Sequence, residues 1–164
     1  MAIRSENKQI ADAYDDLLIA EGIAWKKPEE ELDLDRHGVD VIDKNYTRID
    51  TKYPASLDNF YFQISKILND DSRFPIFTEE YWYIFHGTIY KYSRKHLKDF
   101  VKNFKDKWKP IKRSDGYEEV ILMLTDIDKS GDPMKAEPFG FEPLPKSTAE
   151  LIENDIIKRR RRKQ

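Results

Sequence analysis

Asp40, Asp50 and Lys52 are the residues of this chain whose types and spacing could carry out chemistry. Two neighbouring carboxylates would offer the hard oxygen ligands that suit Mg²⁺ or Mn²⁺. An ammonium group beside them could position or polarise a water molecule. The three side chains could therefore form a compact site for metal-assisted hydrolysis, provided that the fold brings them together.

The elements that must position these residues are two short β-rich runs. Residues 39–42 and 46–52 are rich in apolar and β-branched side chains, and the turn-prone residues 43–45 separate them. This pattern predicts a strand, a turn and a second strand. Because side chains alternate between the faces of a strand, the second aspartate and the lysine must point to the same face. The hairpin can then bring Asp40 beside them.

The spacing of these residues resembles that of the PD-(D/E)xK nucleases, a superfamily that includes many restriction, homing and repair endonucleases. Asp40, nine intervening residues and Asp50-x-Lys52 look like the metal-binding core of that family. The resemblance covers residues 5–105. The proline that the family often has before its first carboxylate is Val39 here.

The resemblance implies an α/β fold of the restriction-endonuclease type, with a central mixed β-sheet flanked by helices. It also implies a metal-dependent endonuclease that hydrolyses phosphodiester bonds of nucleic acid, with DNA as the expected substrate. Asp40 and Asp50 would bind Mg²⁺ (or Mn²⁺), and the backbone carbonyl of Thr51 would be a further ligand. Lys52 would orient the attacking water or offset charge on the phosphorane.

Composition excludes several other classes of site. The 164 residues suit one domain, and the absence of cysteine excludes disulfides, thiolate zinc sites and a cysteine nucleophile. Three scattered histidines do not favour a histidine metal cage. The sequence has no apolar run of transmembrane length and opens with no signal peptide, so we expect a cytoplasmic protein without a membrane partner.

The charges are distributed unevenly along the chain. Its formal net charge is -2, but residues 1–157 carry 23 basic and 31 acidic side chains, a formal charge of -8, and the basic run 158–163 offsets much of it. Any attraction to nucleic-acid phosphates must therefore come from a local face or from that run.

Two helices are predicted by apolar residues at helical spacing. The first covers residues 5–22, and the family resemblance makes Asp12 or Asp16 a candidate for an additional acid in the site. The second covers residues 94–104. Its polar face is either solvated or runs along phosphates, and it is basic: Arg94, Lys95, Lys98, Lys102 and Lys105.

Four further strands are predicted. Residues 60–65 alternate apolar and polar side chains, although helical spacing fits them too. Residues 81–85 and 88–92 read as a hairpin around a His-Gly turn. Residues 119–125 include a continuous apolar run, which is typical of a strand buried on both faces.

The composition changes after residue 125. Four prolines predict an extended segment, 126–157, that packs on the core domain 1–125, and residues 147–158 could form a short helix within it. The basic tail, 158–164, is predicted to be disordered when free.

Three alternatives remain open at this level. The hairpin charges could be an exposed chance arrangement without chemistry. A catalytically silent relative could keep the fold and bind DNA or a protein. The acidic run 29–35 could instead mimic nucleic-acid phosphates in a protein-interaction module. A single site of this kind cuts one strand at a time, so cleavage of a duplex would favour a homodimer.

Overall fold

The computed structural model describes residues 6–28, 38–55, 67–69, 75–104, 111–112, 118–119 and 138–162. This part of the chain has an α/β fold, with three named helices and a five-stranded mixed sheet. In chain order the elements are α1 Glu6–Ala20, β1 Val41–Ile42, β2 Arg48–Lys52, β3 Glu80–Phe85, β4 Thr88–Ser93, α2 Arg94–Phe104, β5 Ile111–Lys112, β6 Glu118–Glu119, β7 Gly140–Pro143 and α3 Lys146–Arg162.

The main sheet has the strand order β1-β2-β3-β4-β7. β2 and β3 are parallel, with Asp50 opposite Tyr81, whereas the other three pairs are antiparallel. β5 and β6 form a separate antiparallel pair. The mixed sheet flanked by helices that the sequence predicts is confirmed.

The first hairpin is held by the side chain of Asp43. Its Oδ1 accepts hydrogen bonds from the backbone N–H groups of Asn45 and Thr47, at 2.8 Å and 2.9 Å. Aspartate commonly closes a turn in this way, by bonding to backbone groups that follow it. The predicted strand, turn and strand are confirmed, although β1 and β2 are shorter than residues 39–42 and 46–52.

The second hairpin joins β3 to β4 through a two-residue turn. His86 and Gly87 have φ angles of 48° and 76°. Positive φ at both positions is the geometry of the type I′ turn, whose twist matches that of the flanking strands. The predicted hairpin is confirmed, and so is the helix 94–104 that follows β4 directly.

Helices α1 and α3 cover one face of the sheet. Leu18 of α1 and Ile152 of α3 belong to one buried cluster with Ile49, Trp82 and Ile84 of the strands. Trp82 and Ile84 alternate with the buried aromatic residues Tyr81, Tyr83 and Phe85 along β3. Both faces of β3 are therefore buried, as expected for the central strand.

The C-terminal segment is more regular than its proline content predicts. Residues 140–143 form the edge strand β7, and proline is tolerated there because an edge strand need not donate every N–H to a neighbour. Helix α3 continues through the basic run to Arg162 instead of ending near residue 158. The predicted short helix, 147–158, is therefore confirmed as part of α3, and the prediction of a disordered tail is wrong for residues 158–162.

Two side chains of the basic run have partners that stabilise its helical conformation. Arg159 Nε lies 2.7 Å from Asp155 Oδ2 one turn earlier, and Arg160 donates to the carbonyl of Ala55 at 3.3 Å. Cations near the C-terminus of a helix also interact favourably with its dipole.

Several predictions lie outside the described residues. These are the strand 60–65, the acidic run 29–35, most of the strand 119–125, and Lys105. The division into a core domain 1–125, a segment 126–157 and a tail 158–164 stays a prediction. Within the described ranges, no helix is both long enough and apolar enough to cross a membrane.

The packing of α3 can be tested with two neighbouring residues of that helix. Ile152 is 1% exposed in the core, whereas Leu151 is 58% exposed. Ile152→Ala should lower the free energy of unfolding by about 2 to 5 kcal/mol, because it leaves a cavity. Leu151→Ala should change it by less than about 0.5 kcal/mol. Urea denaturation of both variants measures the difference, and equal effects would contradict the docking of α3 on the sheet.

Candidate active site

The candidate site lies where β1 separates from β2. The two strands pair only at Val41–Ile42 with Arg48–Ile49, and the last backbone bond runs from Asp40 N to Ile49 O at 2.8 Å. Beyond this bond β1 no longer pairs with β2, and the side chain of Asp40 is the hydrogen-bond partner of β2 instead. Asp40 Oδ2 accepts a hydrogen bond from the backbone N–H of Thr51 at 2.9 Å. One carboxylate therefore lies against the peptide unit that joins residues 50 and 51.

Asp50 and Lys52 point to the same face of β2, as the alternation of strand side chains predicts. Lys52 Nζ is 3.1 Å from Asp50 Oδ1. Asp50 is only 4% exposed, whereas the side chain of Lys52 is half-exposed. The ammonium group of Lys52 therefore contacts the buried Asp50 carboxylate, while part of the lysine side chain is exposed at the protein surface.

The carbonyl of Thr51 faces the edge of β2 at which Asp40 lies. In a β-strand the N–H and C=O of one residue point to the same side. The carbonyl of Ile49 points towards β1, because it accepts from Asp40 N, and Thr51 lies two residues further along the strand. Its N–H confirms this direction by donating to the Asp40 carboxylate. A backbone oxygen and the Asp40 carboxylate thus lie along one edge of β2.

Helix α1 contributes two residues that the sequence analysis did not identify, Lys8 and Asp15. Lys8 Nζ lies 2.6 Å from Asp40 Oδ1. Asp15 is 1% exposed, and its Oδ1 accepts hydrogen bonds from Thr51 Oγ1 at 2.7 Å and from Tyr53 Oη at 2.6 Å. Within the described part of the chain, Asp15 Oδ2 has no hydrogen-bond partner.

The two acids that the family resemblance suggested on this helix are placed elsewhere. Asp12 lies near the ammonium groups of Lys8 and Lys27, at 3.7 Å and 3.9 Å. Asp16 is 70% exposed and lies 3.4 Å from Lys27. Asp15 is the acid of α1 that contacts the site. The sequence contains a signal for the burial of Asp15. This residue follows Tyr14 and precedes Leu18 by three positions, so it lies within the apolar stripe of the helix.

The charged side chains of the site stabilise one another's ionised forms. Burial favours the neutral form of Asp40, but the nearby ammonium groups of Lys8 and Lys52 outweigh it and hold the pKa of Asp40 below its usual value. The carboxylate of Asp50 raises the pKa of Lys52 despite desolvation. At neutral pH the site therefore contains an ionised Asp40 and a protonated Lys52.

Asp15 behaves differently from Asp40. Its burial, together with the negative charge of Asp40, raises its pKa to about 7, although hydrogen bonds from Tyr53 and Thr51 act in the opposite direction. Burial also raises the pKa of Tyr53 well above its usual value, and Asp15 adds to this effect. Near neutral pH, Asp15 is therefore close to the midpoint of its titration.

The donor set fits a hard divalent cation only in part. No group of three or more histidine, aspartate or glutamate side chains in the described ranges is arranged to bind a metal ion. Asp40, Asp50 and the carbonyl of Thr51 are all oxygen donors, however, and Mg²⁺ commonly uses one or two carboxylates while keeping several water ligands. The residues present therefore suit Mg²⁺ or Mn²⁺, with several water ligands, better than a metal ion whose ligands all come from the protein.

Of the three predicted catalytic residues, Asp50 and Lys52 form an ion pair, and Asp40 lies at the peptide between Asp50 and Thr51. Comparison of the chain with family models, curated proteins and solved structures finds no match. The functional interpretation therefore depends on the geometry of this site.

The titration of Asp15 should make stability depend on pH. A folded pKa of about 7, against 3.8 for an ordinary aspartate side chain, means that the folded state binds this proton more tightly than the unfolded state does. The resulting stability is complete below pH 3.8 and is lost as the pH rises through 7. Asp15→Asn should remove this loss. The free energy of unfolding of the variant, relative to that of the wild type, should therefore rise by up to ~4 kcal/mol between pH 4 and pH 8.

Chemical denaturation at several pH values measures this change. Asp16→Asn is the matched control, because it alters the neighbouring, exposed carboxylate of the same helix. Parallel pH profiles for Asp15→Asn and the wild type would contradict the elevated pKa.

Proposed function

We propose that this protein is a metal-dependent phosphodiesterase with a restriction-endonuclease-like fold, which hydrolyses nucleic acid, with DNA as the expected substrate. The observation that carries the proposal is the position of Asp40 at the Asp50–Thr51 peptide. Its Oδ2 lies 2.9 Å from Thr51 N, while Lys52 Nζ lies 3.1 Å from Asp50 Oδ1. Asp40 thus lies against the Asp50–Thr51 peptide at the edge of β2, and the Asp50 side chain of the same peptide unit is paired with Lys52.

The residues have distinct roles in this proposal. Asp40 and Asp50, with the Thr51 carbonyl, would hold Mg²⁺ or Mn²⁺. When bound, such an ion supplies Lewis-acid polarisation of a phosphate oxygen and an acidified water. Lys52 carries a positive charge at neutral pH, because Asp50 raises its pKa, and therefore does not act as a general base. Its ammonium group would instead orient water and stabilise negative charge on the phosphorane.

Lys8 keeps Asp40 ionised, as a carboxylate that binds a metal ion must be. Together with Lys52 it keeps the pKa of Asp40 low, so this carboxylate stays ionised in a largely buried position. Lys8 Nζ lies 2.6 Å from Asp40 Oδ1, whereas Oδ2 faces the Thr51 amide. A cation binding to Asp40 would therefore share the carboxylate with Lys8.

A second candidate function is a nuclease-like module that binds DNA or a protein without catalysis. The observation that favours it is the charge balance of the site, in which Lys8 pairs with Asp40 and Lys52 pairs with Asp50. Within the described ranges no cluster of three acids or histidines adds further metal ligands. Cleavage that depends on a divalent cation separates the enzyme from this alternative. The phosphate-mimic version stays a prediction, because the acidic run 29–35 lies outside the described residues.

The main test of the proposal is Asp50→Asn. Asp50 is buried, so an isosteric substitution is required to preserve packing. Removal of the negative charge should lower Mg²⁺-dependent cleavage of an oligonucleotide by about 100-fold or more, because metal affinity and charge compensation are lost together. Asp99→Asn, at an exposed position of α2, should cleave at the wild-type rate.

The thermal midpoint of Asp50→Asn shows whether the variant is folded. Cleavage by folded Asp50→Asn at the rate of Asp99→Asn would contradict the proposed function.

Lys52 provides a separate test of the chemical step. Lys52→Ala should reduce turnover by about 100-fold if the lysine supplies ~3 kcal/mol of transition-state stabilisation. Mn²⁺ affinity, measured by calorimetry on the same sample, should stay equal or rise, because a positive charge beside the cation is lost. Lys44→Ala, in the exposed turn after β1, is the matched control for the loss of one lysine. Retained cleavage by Lys52→Ala would refute the role of this residue.

A further inference from the structure

A cavity of about 460 Å³ opens where β4 continues into α2, near the start of β3. Three cationic side chains line it, Arg94, Lys95 and Lys98 of α2. Thr47 and Ser93 line it as well, and so does Thr78, whose hydroxyl group donates to the carbonyl of Gly38. Cations and hydroxyl donors around one concave space are the groups that proteins use to bind phosphate oxygens.

Two glutamates also line the cavity, and each has a partner in the protein. Glu79 Oε1 lies 3.0 Å from Arg48 Nε and also accepts from the backbone N–H of Arg48. Glu80 Oε1 accepts from Trp82 Nε1 at 2.9 Å, and burial raises the pKa of Glu80 above its usual value. The Arg48 ion pair compensates the charge of Glu79, so the three cations of α2 outnumber the remaining acidic charge of the lining.

The cavity is a near neighbour of the candidate active site. Gly38, with φ +82°, separates the two, and its carbonyl accepts a hydrogen bond from Thr78 Oγ1 of the cavity wall. A Cβ atom built on Gly38 would be 2.5 Å from Thr78 Oγ1 and 3.9 Å from Asp50 Oδ2. Thr78 Oγ1 in the cavity wall and Asp50 Oδ2 are therefore separated by no more than the sum of these two distances.

Arg94 forms a second connection between the cavity and the site. It lines the cavity and also hydrogen-bonds the side chain of Tyr81, which lies opposite Asp50 in the sheet. A strand bound with one phosphodiester at Asp50 and Lys52 would therefore carry its next phosphates past Gly38 towards the cations of α2.

We propose that this cavity binds a phosphate group of the nucleic-acid strand, close along the chain to the phosphodiester that is cleaved. The inference rests on the proposed function, because it takes the Asp50 site as the place of cleavage. The cavity would fix the register of the strand through its backbone and would contribute no base specificity, since phosphate contacts position a strand without reading it. The ligand chemistry is a phosphate group, whose source is either a strand or free inorganic phosphate.

The experiment uses the full chain in EDTA, so that no cleavage takes place. A short single-stranded oligodeoxynucleotide and, separately, inorganic phosphate are titrated while amide NMR signals of Thr47, Ser93 and Lys95 are followed. The oligonucleotide should shift these signals at concentrations at which inorganic phosphate does not. Unshifted signals with the oligonucleotide would overturn the proposal, and equal affinity for inorganic phosphate would show a free-anion site and overturn it as well.

A double variant, Lys95→Gln with Lys98→Gln, tests the cations directly. Its oligonucleotide affinity should fall about tenfold, as expected for the loss of charge-assisted hydrogen bonds. The slope of log affinity against log salt should become shallower by about 0.7, the value for one phosphate of a single strand. Lys102→Gln, an exposed cation of the same helix outside the cavity lining, should weaken binding less than about twofold. Equal losses in the double variant and in Lys102→Gln would overturn the proposal.

Failure of this inference differs from failure of the proposed function. Oligonucleotide binding in the cavity without Mg²⁺-dependent cleavage by the wild type would remove the nuclease function and leave a nucleic-acid-binding cavity. If the wild type cleaves but the double variant changes neither binding nor its salt dependence, the nuclease function stands and the phosphate-binding role of the cavity is contradicted.

Discussion

The hydrogen bond from the Thr51 backbone to the Asp40 carboxylate is the interaction on which the candidate site depends. A strand that loses its neighbour exposes N–H groups that need an acceptor, and a buried unpaired N–H is costly. Asp40 supplies that acceptor immediately before β1 begins. The same bond that completes the edge of β2 therefore holds the Asp40 carboxylate against the peptide that joins Asp50 to Thr51.

Burial of these carboxylates requires nearby cations. An isolated buried carboxylate would become protonated, because desolvation favours its neutral form. Lys8 from α1 and Lys52 from β2 keep Asp40 ionised, whereas Asp15, which lacks such a close cation, has a pKa of about 7. Helix α1 is thus part of the site as well as part of the core. The two acids therefore differ in pKa, because burial and the negative charge of Asp40 raise that of Asp15, whereas Lys8 and Lys52 lower that of Asp40.

The same edge of the sheet also connects the site to the basic cavity. Gly38 allows this close approach, since a side chain at its position would collide with Thr78 and its φ is positive. The acidic body of the chain consequently presents carboxylates and cations side by side, with the carboxylates at the edge of β2 and the cations at the start of α2. Both kinds of group have a role in the proposed function, in which the carboxylates would hold a metal ion and the cations would hold further phosphates of the strand.

The sequence by itself determined the features that depend on neighbouring residues. The turn closed by Asp43 and the His86–Gly87 turn follow from local backbone preferences, and the shared face of Asp50 and Lys52 follows from the alternation of strand side chains. Those parts of the sheet and of the site were predictable for this reason.

Only the tertiary structure decided which side chains of distant elements meet. The rotation of α1 against the sheet brings Asp15 to Thr51 and leaves Asp16 in solvent, although both lie on the same helix. The pairing of β7 with β4 is likewise a long-range contact, which the proline content of the segment did not indicate. Such contacts depend on how apolar faces pack across the whole chain, and local propensity carries no information about that packing.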